Sequence, residues 1–144
     1  DLIEMTEKSI LIIGAGISGL TIAILLDKLG YKPIIIEKRE LNNNNSENEK
    51  SINLTISQRG INLLKLLEVE TEIFKRSCKV HSRIVHISTF STAKHSYSGS
   101  IDNNLLSIKR HDLIDILLDR VRSRNIKIID NTQFINLDFN QSKV

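Results

Sequence analysis

Ser9 to Leu29 reads SILIIGAGISGLTIAILLDKL, and this stretch decides the fold. Ile10 to Ile13 is a short, fully apolar run rich in β-branched residues, the pattern of a parallel strand buried on both faces. Gly14, Gly16 and Gly19 follow in the spacing G-x-G-x-x-G. Ile17 to Leu29 is apolar nearly all round, with only Ser18, Thr21, Asp27 and Lys28 polar, which predicts a helix laid against the sheet. Gly30 stands where a helix C-terminus favours glycine. A second apolar strand, Ile34 to Ile36, begins after Pro33 and ends at Glu37, 18 residues beyond Gly19.

A strand, a glycine turn, a helix and a second strand closed by a carboxylate form a dinucleotide-binding pattern. The first glycine allows the bend, the second lets the backbone approach a pyrophosphate, and the third lets the helix pack close to the strand. The helix N-terminus offers N–H donors and partial positive charge to the phosphates. Glu37 can accept ribose hydroxyls and would repel a 2′-phosphate, so FAD or NAD is expected here in preference to NADP. Glycines serving packing alone would not call for an acid at the end of the second strand.

The chain has 144 residues, of which 40% are hydrophobic and 26% charged, enough for the core of one soluble domain or a large part of one. The formal charge of +3 is spread among nearly as many acids. The densest basic run, Lys75 to Lys79, is short, so a solvated face is expected and no nucleic-acid partner. One cysteine, Cys78, excludes an internal disulfide and fits a reducing compartment. Ser9 to Leu26 carries no charge and approaches the length of a membrane span. The clustered glycines and the strand that follows favour the strand-turn-helix reading. The four histidines, His81, His86, His95 and His111, lack metal-ligand spacing, and no metal site is expected.

Leu41 to Lys50, with Asn42 to Asn45 at its centre, cannot bury apolar surface and reads as a surface loop. Ile52 to Ile56 alternates as a strand. Ser57 is placed to cap a helix carrying Ile61, Leu64 and Leu67, and a shorter helix through Val69, Ile73 and Phe74 follows. From Val80 to Gly99 the period changes to two. Arg83, Val85 and Ile87 fall on one strand face, Ile84 and His86 on the other. A turn over Thr89 to Thr92 and a returning strand through His95 to Tyr97 complete a hairpin, which sets Arg83 across from Tyr97 to within about one residue. Lys109 to Arg124 reads as a helix with an apolar stripe of Leu113, Ile114, Leu117, Leu118 and Val121. Asp112 and Asp115 near its start and Arg120, Arg122 and Arg124 near its end suit the helix dipole. Ile126 to Ile129 returns as a buried strand, the order expected of a parallel sheet. Gln133 to Phe139 alternates again, as the first strand of a further sheet.

Several separated segments resemble the FAD-dependent aromatic-ring monooxygenases, and among them the kynurenine 3-monooxygenase family. These are Gly14 to Glu37, the run Ser51-Ile52-Asn53-Leu54-Thr55-Ile56-Ser57-Gln58-Arg59-Gly60, the Arg83 and Tyr97 pair, and Ser107-Ile108-Lys109-Arg110 opening the helix that continues with Leu113. The resemblance runs from about Ile10 to Asp138 and covers the N-terminal part of such an enzyme. It implies that Gly14, Gly16, Gly19 and Glu37 hold the ADP half of FAD, and that Arg39 and Arg110 contact the cofactor nearer its ribityl and flavin portions. It implies that Arg83 and Tyr97 bind the carboxylate of an aromatic amino acid, kynurenine, by a guanidinium fork and a phenol donor. NADPH as transient electron donor and oxygen as co-substrate come with it, as does hydroxylation of the ring beside its amino group.

The expected architecture is an α/β, Rossmann-like FAD-binding parallel sheet, incomplete at its C-terminus, over residues 1–144. An inserted antiparallel hairpin, residues 80–99, contributes to the substrate-side sheet. Lys50 stands where the family has an arginine. The family's second flavin motif and its C-terminal membrane anchor lie beyond Val144, so this chain alone is expected not to turn over substrate. A mitochondrial outer-membrane location, this portion facing the cytoplasm, follows from the resemblance, and a cytoplasmic one if no anchor follows. Two rival readings stay open: a related flavin hydroxylase acting on another aromatic acid or quinone precursor, and a truncated nucleotide-binding module without chemistry.

Overall fold

A computed structural model of the chain describes residues 8–41, 52–88, 91–96 and 105–136. It divides into two compact units, Asp1–Lys50 with Ile114–Val144, and Ser51–Leu113.

In the first unit, β1 (Ser9–Ile13) leads through the glycine turn into α1 (Ile17–Lys28), which returns to β2 (Lys32–Ile36). β8 (Lys127–Ile129) joins the same sheet, whose order among the described residues is β1-β2-β8 with both pairings parallel. The strand-turn-helix reading of the uncharged stretch therefore holds. Among the described residues no helix is long and apolar enough to cross a membrane. Leu20, Ala23 and Ile24, at helical spacing on α1, are fully buried. Each such Leu or Ile contributes about 1.5–3 kcal/mol. The helix ends in a double hydrogen bond, Gly30 N–H to the Asp27 carbonyl at 3.0 Å and Tyr31 N–H to the Leu26 carbonyl at 3.0 Å. That closure needs the left-handed backbone of Gly30, φ +85.

Burial on both faces holds for β2 but not for β1. Pro33 to Ile36 are buried, whereas Ile13 is 59% exposed and the rest of β1 is half-buried. The reason is position: β2 lies between two partners, while β1 has β2 alone among the described residues. Pro33 is tolerated in this central strand because the β8 ladder starts one residue later, at Ile34.

The second unit holds β3 (Asn53–Ile56), α2 (Gln58–Leu66), α3 (Glu70–Arg76), β4 (Cys78–Val80), β5 (Ser82–Ser88), β6 (Ser91–Ser96) and β7 (Leu105–Lys109). Ile61, Leu64, Leu67 and Ile73 are buried as their spacing required. Ser57 occupies the cap position of α2 but makes no side-chain capping bond. The residue after the α2 cap, Glu68, takes φ +59 and closes the helix as Gly30 closes α1, by N–H bonds from Glu68 to Lys65 and from Val69 to Leu64.

β7 corrects the reading of Ser107 to Lys109 as the opening of a helix. These residues are the end of a strand set between β3 and β4, antiparallel to both, and the helix α4 (Arg110–Ser123) starts at Arg110. Leu106 and Ile108 alternate into the core at 2% exposure each, a period of two that five residues show too briefly to stand out. The alternation in Gln133 to Phe139 gives no strand over residues 133–136, where Ile135 is 88% exposed, and residues 137–144 lie outside the described set. The same holds for the asparagine run, residues 42–45.

Candidate dinucleotide-binding site

Ile13, Ile36 and Ile129 stand in one register across β1, β2 and β8, so the residues that follow them share the carboxyl edge of the parallel sheet. Those residues are Gly14, Glu37 and Asp130. Ligands of open α/β sheets bind at this edge.

The three glycines answer three different demands. Gly14 has φ +99, a conformation that strains any side chain, and its N–H donates to the Ile36 carbonyl at 2.7 Å. A Cβ on Gly19 would overlap the Gly14 carbonyl oxygen and come within 3.4 Å of Ile12 Cγ2, so the helix can approach the strand only without one. Gly16 has extended backbone, φ −78 and ψ 179, and a Cβ there would meet no protein atom within 4 Å. Neither strain nor packing asks for glycine at Gly16, which suits the close approach of a ligand from outside. Gly16 is the N-cap of α1, no side chain caps that end, and its first turn holds no acidic residue. The exposed donors and positive end of the dipole therefore suit a pyrophosphate, and the residues fit the ADP half of FAD.

Glu37 is only 6% exposed. Its Oε2 accepts the Ala15 N–H at 2.7 Å, and its Oε1 accepts the Arg39 N–H at 3.0 Å and the Arg39 Nε–H at 3.1 Å. Burial pushes the carboxyl up, but the backbone donors of Arg39 and Ala15 and the Arg39 guanidinium outweigh it and hold it below the usual glutamate value. Glu37 is thus an ionised acceptor beside the turn. Its N–H donates to the Ile129 carbonyl at 2.9 Å and its carbonyl accepts the Thr132 N–H at 2.9 Å. The Arg39 carbonyl accepts the Asn131 N–H at 3.2 Å, and Asp130 Oδ2 accepts the Leu41 N–H at 2.9 Å. The segments after β2 and β8 are laced into one rim.

Of the anticipated cofactor residues, the structure brings together Gly14, Gly16, Gly19, Glu37 and Arg39 in the first unit. Arg110, the first residue of α4, belongs to the second unit, where its N–H donates to the Ile52 carbonyl at 2.9 Å. Arg83 lies in β5 of that unit, and its ladder partner on β6 is His95. His95 holds the position opposite Arg83, and Tyr97, expected across from Arg83 to within about one residue, lies outside the described residues. Ala15, Asp130 and Thr132 were not singled out from the sequence. A signal existed for Asp130, since Ile126 to Ile129 ends in an acid as Ile34 to Ile36 ends in Glu37. Among the described residues no group of three His, Cys, Asp or Glu side chains could hold a metal ion, and Cys78 is an exposed free thiol.

The parallel sheet, the glycine turn and the acid at the end of β2 define a dinucleotide-binding α/β protein. Residues 7–144 match the FAD binding domain family, and the chain belongs to it. It is 31% identical over 139 residues to the kynurenine 3-monooxygenase of Legionella pneumophila (strain Lens), an alignment covering 95% of this chain and 31% of the relative. Against the kynurenine 3-monooxygenase of Dictyostelium discoideum the identity is 31% over 134 residues, covering 93% and 28%. The chain thus spans about a third of the length of these curated relatives. Among solved structures, the tetrameric form of 2-methyl-3-hydroxypyridine-5-carboxylic acid oxygenase superposes with a TM-score of 0.76 at 22% identity, over 90% of this chain and 33% of that one. PqsL of P. aeruginosa, solved in complex with 2-aminobenzoylacetate, superposes with a TM-score of 0.72 at 19% identity, over 90% and 35%. These likenesses establish the shared fold.

Proposed function

We propose that the chain is the N-terminal portion of an FAD-dependent monooxygenase that hydroxylates the aromatic ring of L-kynurenine to 3-hydroxykynurenine, with NADPH as electron donor and O2 as co-substrate. The observation that carries this reading is 31% identity to a kynurenine 3-monooxygenase along 95% of the chain, within an FAD binding domain. FAD, when bound, supplies the redox chemistry. This chain's residues position it. The α1 N-terminus and Gly16 take the pyrophosphate, and Glu37 stands at the adenosine ribose. Arg39, whose Nε–H donates to Glu37, and Arg110 contact the cofactor nearer its ribityl and flavin portions. Arg83 forks onto the substrate carboxylate, with Tyr97 as a further donor. The outer mitochondrial membrane, reached through a C-terminal segment outside this chain, belongs to the same proposal, with this portion facing the cytoplasm.

Arg83→Ala in the full-length protein tests the substrate assignment. A charge-assisted hydrogen-bonded contact contributes about 1.5–3 kcal/mol, so the kynurenine concentration that half-perturbs the flavin spectrum should rise about 10- to 100-fold while flavin content stays constant. Unchanged kynurenine affinity would show that Arg83 does not hold the carboxylate. Fragment and full-length protein assayed side by side test whether residues 1–144 lack turnover.

A further inference from the structure

A ribose acceptor needs only to face the ribose, yet Glu37 is tied into the protein on both oxygens. An ionised carboxylate offers about four acceptor positions, and the turn and Arg39 already occupy three of them. The contact with Ala15 spans 22 residues of sequence and is buried. It fastens the residue between Gly14 and Gly16 to the end of β2, at the point where the chain turns with φ +99. Ala15 N–H is therefore turned inward, away from a phosphate, and the turn is set before any cofactor arrives. Arg39 supplies two donors to the other oxygen, from its backbone and its Nε, which fixes the plane of the carboxylate and so aims Oε2 at Ala15.

We propose that Glu37 is a positioning residue for the phosphate-binding turn: its carboxylate, oriented by Arg39, clamps the Ala15 N–H and holds the glycine turn in its binding shape in the absence of FAD. This rests on the reading of the turn as the FAD site, but its test does not require the enzyme to be loaded. The measurement is amide hydrogen exchange in the full-length protein stripped of FAD, with ADP titrated calorimetrically as the probe.

In the ligand-free wild type the Ala15 amide should exchange about tenfold or more below its open-chain rate. In Glu37→Gln, the two donors of Arg39 draw the amide oxygen and turn the NH2 group toward Ala15, donor against donor. Ala15 protection should then fall about tenfold, the Leu11 and Ile12 amides of β1 should keep theirs, and ADP should bind more weakly. Weaker ADP binding with Ala15 protection unchanged would overturn the proposal and leave Glu37 as a ribose contact alone. Where Glu37→Gln does not fold, the wild type decides: an Ala15 amide exchanging at the open-chain rate overturns the clamp. A wild type with a protected Ala15 that binds no ADP would instead refute the cofactor reading and leave the clamp standing.

Discussion

The glycine turn and the β5-β6 hairpin place their demands on different parts of the chain. In the turn the demands fall on the backbone: positive φ at Gly14, contact distance at Gly19, open approach at Gly16. In the hairpin the proposed role falls on the Arg83 side chain, and the backbone is an ordinary antiparallel ladder from Ser82↔Ser96 to Ser88↔Ser91, with an irregularity between His86 and Ser88. Ile84 is 63% and Val85 36% exposed, so these neighbours, on opposite faces, are both open to solvent. In a hairpin whose described apolar residues are open to solvent, burial does little to fix the register, and one slipped residue exchanges its faces. A turn set by backbone geometry is therefore legible from residue type, whereas a cross-strand register is not.

The largest effect should come from Gly19→Ala. A methyl group meeting the Gly14 carbonyl cannot be relieved by a rotamer change, so stability should fall by about 3 kcal/mol and bound flavin should be lost. Denaturant midpoint and flavin absorbance per protein report both. Gly16→Ala sharpens the distinction. With no protein atom in the way, stability should change by less than about 0.5 kcal/mol, while FAD affinity falls by about 2 kcal/mol, roughly 30-fold. Intact affinity in that variant would mean that Gly16 is not approached by the phosphates.

The smallest effect is the pH response of the clamp. Glu37 lies below the ordinary glutamate value of 4.5, so its ionised form is favoured by folding. That stabilisation is fully present above pH 4.5 and is lost as pH falls through the lowered value. Denaturant midpoints followed downward from pH 6 should decline in the wild type, and Glu37→Gln should lack that part of the decline. An identical pH profile in the two proteins would remove Glu37 from the account of the turn's stability.

Sequence alone settled β1, the turn, α1 and β2 because each rests on local physics. Glycine is the residue that accepts the turn's geometry, and an apolar run closed by turn residues becomes a strand or helix wherever it packs. Tertiary structure alone decided the rest. It made β1 a half-exposed strand and β2 a buried one, although both are apolar runs rich in isoleucine. It drew Leu105–Lys109 into a sheet between β3 and β4, set His95 across from Arg83, and supplied Glu37 with a donor from Ala15. These outcomes depend on which strand lies beside which and in what register, and contacts between residues far apart in sequence leave no periodic trace in either segment.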